Sequence, residues 1–301
     1  MITKSIQSWI KAFRLRTLPL ALASVMMGGF IAIYKGDYSW SIIILAIVTT
    51  LFLQILSNLA NDYGDGIKGT DNENRLGPER AVQSGEISPS QMRKGIIVFV
   101  VFSLISGIWL ILESTGFSYI TLIFLLLGIG AIVAAIKYTV GKRSYGYSGM
   151  GDLFVFIFFG PVAVLGTSFL ASHQFIWQDI LPAATMGLLS TGVLNLNNMR
   201  DIENDKASGK ITIALRFGLR SAKKYHYFLV LSALLLLVIF TSLNYHSPWQ
   251  FIYVILFPTI LRDLIFIGRT EDNRLLDPFL KKLAFSTLLL TLLFGMGLIM
   301  A

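Results

Sequence analysis

The stretch WSIIILAIVTTLFLQILSNLANDYGD, residues 40–65, decides the architecture. Residues 40–60 carry no charged side chain, and a helix of that length crosses a hydrocarbon core of about 30 Å. The run then meets Asn61, Asp62 and Asp65 within little more than one turn. It reads as a membrane helix whose last turn brings carboxylates to the water boundary.

Outward from it, similar apolar runs occur near 18–34, 95–112, 117–136, 153–171, 177–197, 227–243, 249–267 and 283–300. The fold class is therefore all-α: a single integral-membrane domain over 1–301, with nine transmembrane helices around a central cavity. Gly28-Gly29, Gly160-Pro161, Pro182 and Pro258 fall inside these runs, where neighbouring helices can re-satisfy a broken backbone. The first run follows Lys11, Arg14 and Arg16 as a signal peptide would, but it is too long for an h-region and eight more follow; it is read as a retained helix. Composition agrees. The chain is 54% hydrophobic with a mean hydropathy of +0.69, and its 14% charged residues fall well short of the roughly 25% usual in soluble domains.

Charge sets the orientation. With the N-terminus inside, the segments 1–16, 61–94, 137–152, 198–226 and 262–282 hold 24 of the 25 Lys and Arg. Only Lys35 remains for the outside. The positive-inside rule then places the N-terminus in the cytoplasm and the C-terminus outside. The formal charge of +8 reads as basic loops facing anionic membrane lipid, with no nucleic-acid partner. There is no cysteine, which excludes disulfides, zinc thiolates, Fe–S clusters and a Cys nucleophile. His173, His226 and His246 are too scattered for a histidine metal site.

Two inside loops hold most of the polar chemistry: NDYGDGIKGTDNENRLGPERAVQSG (61–85) and NNMRDIENDKASGKIT (197–212). They lie four helices apart on one membrane side, which suggests a weak repeat of two four-helix halves plus one helix. Such a repeat would set the loops face to face across a cavity. Continued as helix, the first places Asn61, Asp62 and Asp65 on one side of a turn, with Asn58 one turn earlier and Asp71 shortly after. The second places Asn197, Asp201 and Asp205 at i, i+4 and i+8, with Asn198 three before Asp201. Clustered carboxylates stay ionised together only with cations between them. Oxygen donors without His or Cys suit Mg²⁺ or Mn²⁺. The candidate metal ligands are Asn61, Asp62, Asp65, Asn198, Asp201 and Asp205. Two such clusters would clamp a diphosphate through metal ions, with water completing the shell. Lys68, Arg75, Arg80, Lys142, Lys206, Lys210 and Arg216 flank them. Asn61, Arg80, Lys142, Lys206 and Lys210 are the candidate diphosphate contacts. A solvated turn with helix caps is the alternative for either loop alone.

At these residues the chain resembles the UbiA superfamily of intramembrane prenyltransferases. Asn61, Asp62 and Asp65 match its NDxxDxxxD motif, whose last Asp falls on Gly69 here. Asp201 and Asp205 match its DxxxD motif, Tyr138 and Lys142 a YxxxK motif, and Arg80, Ser84 and Gly85 an RxxxSG segment. RTLP (16–19), the GTD ending (69–71), GYSGMGDLFVFIFFGPVAVLGT (146–167) and LNNMRDIENDKASGK (196–210) are similar to the branch acting on 1,4-dihydroxy-2-naphthoate. The resemblance implies Mg²⁺-dependent transfer of a polyprenyl group from an all-trans polyprenyl diphosphate to that naphthoate. CO₂ and diphosphate are lost, giving demethylmenaquinone in a bacterial cytoplasmic membrane. Asp65, Asp201, Tyr138 and Lys142 would be the catalytic residues. Tyr138 could face the allylic cation with its ring or bind the diphosphate. Phe154, Phe156, Phe158 and Phe159 could line the prenyl channel or face lipid and other helices. Another acceptor, 4-hydroxybenzoate or homogentisate, is the nearer alternative. A secondary transporter is the more distant one, since the acids sit at helix ends and the spans are nearly uncharged.

Overall fold

The computed structural model describes residues 2–73 and 75–301, and side chains from residue 6 onward. Among the described residues, nine helices are long and apolar enough to cross a membrane, as expected. An N-terminal helix α1 (Ile2–Phe13) leads into α2 (Leu18–Tyr34), α3 (Trp40–Lys68), α4 (Pro89–Thr115), α5 (Tyr119–Lys137) and α6 (Gly151–Ser172). Then come α7 (Ile180–Arg200), two short helices α8 (Ile202–Ala207) and α9 (Ile213–Phe217), α10 (Leu219–Leu243), α11 (Pro248–Arg269) and α12 (Asp277–Ile299). The chain is an integral membrane protein.

Burial sorts the helices. On α5, Leu122, Ile123, Leu126, Ile129 and Val133 are exposed, the pattern of a lipid-facing helix whose outward side needs no polar groups. Two-thirds of the α7 span is buried, because α6, α10 and α12 all pack on it. Close approach there depends on small residues: a Cβ on Gly160 would sit 2.7 Å from the Ala183 carbonyl and 3.1 Å from the Gly187 Cα. Gly28 of α2 likewise backs onto the Val164 carbonyl. Small residues let membrane helices meet at the backbone, where dispersion replaces the missing hydrophobic drive.

Three departures from simple spans matter for the site. First, α3 continues two turns past the apolar run, so Asn61, Asp62 and Asp65 stand on regular helix up to Lys68. Second, α6 is π-helical over Phe158–Leu165 around Pro161. Proline lacks an N–H and crowds the preceding turn, and a π segment absorbs that break. Third, α1 is an amphipathic helix the apolar-run reading treats only as an inside segment. It seats Trp9 against Gly95 and Phe13 edge-on to Phe99 at 5.3 Å.

Candidate active site

Both acidic helix ends close in the same way. Gly69 ends α3 in the left-handed region at φ 72°, and the Thr70 N–H returns to the Asp65 carbonyl at 3.0 Å. Gly209 follows α8 at φ 70°, and the Lys210 N–H returns to the Asp205 carbonyl at 2.9 Å. Glycine adopts this conformation without the Cβ penalty, so each acid-bearing helix stops and turns its chain back over the carboxylates. Asn61/Asp65/Gly69 and Asp201/Asp205/Gly209 thus share one spacing. The turn also explains Gly69: the helix must end there, and the next acid falls on Asp71.

The loops meet across the mouth of a cavity of ≈ 520 Å³. The Asn204 side chain donates to the Thr70 carbonyl at 2.8 Å. Arg75 bonds Asp71 at 3.0 Å and lies 3.7 Å from Asp201. Asn61, Asp65, Asp71, Asp201 and Asp205 line the mouth, with Arg75, Arg80 and Lys210. Below it the cavity runs down α3 as far as Ala46, past Tyr138, Phe154 and Phe158. Along α3, Asp65 to Ala46 is about 28 Å of helix: a charged mouth over a deep apolar shaft.

Each carboxylate is held. Asp65 accepts from Asn61 Nδ2 at 2.8 Å and from the Tyr147 hydroxyl at 2.7 Å. Asp201 receives Arg200 Nε at 2.9 Å and Nη2 at 2.6 Å. Burial favours the neutral acid at Asp201, but the Arg200 guanidinium outweighs it and the pKa falls below the usual range. At Asp205 burial wins over Lys210, 3.4 Å away, and pushes the carboxyl up to about 6. Burial also raises Asp71 despite Arg80. Lys210 is held charged: burial lowers it, but Asp205 and Asp65 more than compensate. Burial pushes the Tyr138 phenol up to about 12, so it stays protonated near neutrality.

The sequence matches the UbiA prenyltransferase family over residues 21–285. The chain belongs to that family. It is 39% identical to 1,4-dihydroxy-2-naphthoate octaprenyltransferase of Escherichia coli (strain K12) over 98% of this chain and 96% of the relative. The apo structure of a UbiA homologue from Aeropyrum pernix K1 superposes with a TM-score of 0.68 at 17% identity, covering 95% of this chain and 98% of that one. A UbiA homologue from Archaeoglobus fulgidus bound to GPP and Mg²⁺ gives a TM-score of 0.58 at 17% identity, covering 96% and 100%.

Within this UbiA-family fold the sequence-derived candidates separate. Asn61, Asp65, Tyr138, Asp201, Asp205, Arg80 and Lys210 all reach the cavity wall. Asp62 does not join Asn61 and Asp65 on one side: it turns away and accepts from the Ala81 and Val82 backbone N–H groups at 3.2 and 3.3 Å. One helical residue is a rotation of about 100°, enough to convert a site position into the anchor of the 80–85 turn. By the same step Asn197 lines the cavity, while Asn198 is buried off it with Oδ1 unpartnered. Lys142 and Lys206 are exposed and off the wall. Lys142 follows Gly141, whose φ of 98° turns the chain outward, and Lys206 is one residue round from Asp205. Phe154, Phe158 and Phe159 line the shaft, whereas Phe156 packs on Gly187 of α7.

Sequence reasoning passed over Arg14, Tyr147, Arg200 and Asn204 as site residues. Arg200 lies inside the second motif, where the positive-inside rule alone accounts for a basic residue. Its adjacency to Asp201 was the available signal. Tyr147 had no such signal, because its contact with Asp65 spans 82 residues.

Proposed function

We propose that this chain moves an all-trans polyprenyl group from its diphosphate onto 1,4-dihydroxy-2-naphthoate. Diphosphate and CO₂ leave, and the product is demethylmenaquinone at its quinol level. The observation that carries this reading is the 39% identity with the E. coli naphthoate octaprenyltransferase, sustained over 98% of the chain. A charged mouth over an apolar shaft supports it.

The mouth also fits Mg²⁺. Among the described residues no three carboxylate or imidazole groups converge on one point, but Mg²⁺ needs only one or two carboxylates beside water and phosphate oxygens. Asp205 Oδ2 and Asn204 Oδ1 are buried without a partner, oxygens that gain from a cation. Asp65, Asp201 and Asp205 would hold the ion, with Asp71 beside them, while Asn61, whose Oδ1 accepts from Arg14, orients the Asp65 carboxylate through its Nδ2; Mn²⁺ suits the same donors. When bound, the metal offsets the charge that develops on the leaving diphosphate.

The chain's own groups do the rest. Lys210, Arg75 and Arg80 present positive charge to the diphosphate oxygens as the allylic C–O bond breaks. The apolar shaft takes the tail and keeps water from the allylic cation. The protonated Tyr138 offers that cation a neutral ring face. The carboxylated ring carbon attacks, forming the new C–C bond. The bond to the carboxylate then breaks, its electron pair restores the aromatic ring, and CO₂ departs.

Carboxyl-labelled 1,4-dihydroxy-2-naphthoate should therefore release labelled CO₂ one-to-one with diphosphate. Prenylation of 4-hydroxybenzoate with the carboxylate retained, and no turnover of the naphthoate, would overturn the acceptor assignment and leave the family intact.

We also place the protein in a bacterial cytoplasmic membrane with the N-terminus inside. The acidic mouth and the basic loops share one end. Lys35, at the other end, is buried in an ion pair with Asp179 at 2.6 Å. A reporter fused after Ala301 should be active only if it works outside the cytoplasm, and one inserted at 220 only if it works inside. A cytoplasmic C-terminus would refute this orientation.

A further inference from the structure

Next to the acidic mouth the wall of the same cavity has a polar stretch that the diphosphate chemistry leaves unused. Arg14 joins α1 to α2 with a left-handed backbone, φ 51° and ψ 58°, a conformation a non-glycine residue adopts at a cost and mostly where function holds it. Arg14 is part of the cavity wall. Nη1 donates to Asn61 Oδ1 at 2.6 Å, while Nε and Nη2 are buried with no hydrogen-bond partner. A buried guanidinium edge left unpaired is expensive, and a planar pair of N–H groups matches a carboxylate.

Asp62, Asp71, Asp65 and Arg75 of the mouth lie within electrostatic reach of Arg14, and its other neighbours include polar, uncharged side chains. Thr17, Gln54, Ser57 and Asn58 share this part of the wall. Asn58 donates to Thr17 at 3.0 Å and to the Phe13 carbonyl at 2.8 Å. Gln54 is held only loosely, at 3.3 and 3.4 Å. Such amides and hydroxyls suit ring hydroxyls better than an isoprenoid tail, which gains nothing from them.

Asn61 joins the two regions. It takes Arg14 on one side and donates to Asp65 on the other, at 2.6 and 2.8 Å. An aromatic acid anchored on Arg14 therefore has its ring within one side chain of the diphosphate clamp, where the carbon bearing the carboxylate must meet the allylic carbon. The diphosphate already has Arg75, Arg80 and Lys210 around the acids.

Building on the proposed prenyl transfer, we infer that Arg14 is the carboxylate anchor of the aromatic acceptor, in a subsite completed by Thr17, Gln54 and Asn58. The salt bridge keeps the acid ionised, the form from which CO₂ can leave.

The test compares Arg14→Gln and Arg14→Lys with the unmodified protein in nanodiscs, after melting curves confirm that each variant is folded. Steady-state kinetics should show the KM for the naphthoate raised about 10- to 100-fold in R14Q, the worth of a charge-assisted pair. The KM for prenyl diphosphate should rise by a clearly smaller factor, because Arg14 reaches the clamp through Asn61, and R14K should fall between. A rise confined to the prenyl diphosphate KM, or no rise in either, overturns the anchor.

A second arm does not depend on which acceptor is used. Binding of 1-hydroxy-2-naphthoate and of 1-naphthol is measured by calorimetry. The unmodified protein should favour the acid, and R14Q should lose that preference. Equal preference in both proteins overturns the inference even if naphthoate turnover is found. Loss of preference upholds it even if the natural acceptor proves to be a different aromatic acid.

Discussion

Turnover is expected to fall at least about 10³-fold in EDTA and to return with Mg²⁺, because departure of a diphosphate leaves charge that buried carboxylates alone would repel. Asp65→Ala and Asp201→Ala should each cause a loss of similar size with membrane insertion intact, and Asp201→Ala should also lower stability because it strips the buried Arg200 of its two-nitrogen partner. The two acids stand on separate helices, α3 and the junction after α7, so each variant removes one side of the clamp. Asp62→Ala should behave differently. Its carboxylate caps the turn at Ala81 and Val82, so its loss should loosen that turn and lower thermal stability by about 1–2 kcal/mol, as loss of a capping acceptor does. Labelled prenyl diphosphate with diphosphate release as readout checks the first claim. Full turnover in chelator would remove the metal clamp, and equal kinetic losses for Asp62 and Asp65 would contradict the division between them.

Arg200→Met is expected to destabilise the fold by about 3–5 kcal/mol, the cost of breaking a buried ion pair from one side. The Arg200 side chain has 0% exposure. It grips Asp201 with two nitrogens, reaches Asn197 at 2.9 Å, and pairs with Asp277 at the start of α12. One guanidinium thus fixes a site carboxylate and ties α7 to α12. Arg200→Lys should recover only part of the loss, because an ammonium cannot reproduce the planar fork. Asp277→Asn should cost about 1 kcal/mol or less: that carboxylate is 38% exposed, and solvent screens its share of the pair. Melting of the purified variants in one detergent gives the comparison. If R200M and D277N melt together, Arg200 is not the clamp described.

The nine spans, the all-α class and the acid-bearing helix ends were legible in the amino-acid order alone. Their cause is local: a bilayer tolerates only long apolar helices, and acids one turn beyond such a run stand at its boundary whatever the rest of the chain does. That Gly69 and Gly209 end both acidic helices emerged from the backbone, where both are left-handed. Which residue of each cluster faces the cavity was not legible. A period of 3.6 gives angles around a helix, but the direction of the cavity is set by neighbours far along the chain. So Asp62 turned to the 80–85 segment, Asn197 took the wall rather than Asn198, and Lys142 and Lys206 pointed to water. Arg14, Tyr147 and Arg200 reached the site for the same reason. Arg14 and Tyr147 meet their partners on α3, and Arg200 reaches α12; only the packed bundle decides whether a cation serves as an outward topology charge or as the buried counter-ion of an acid.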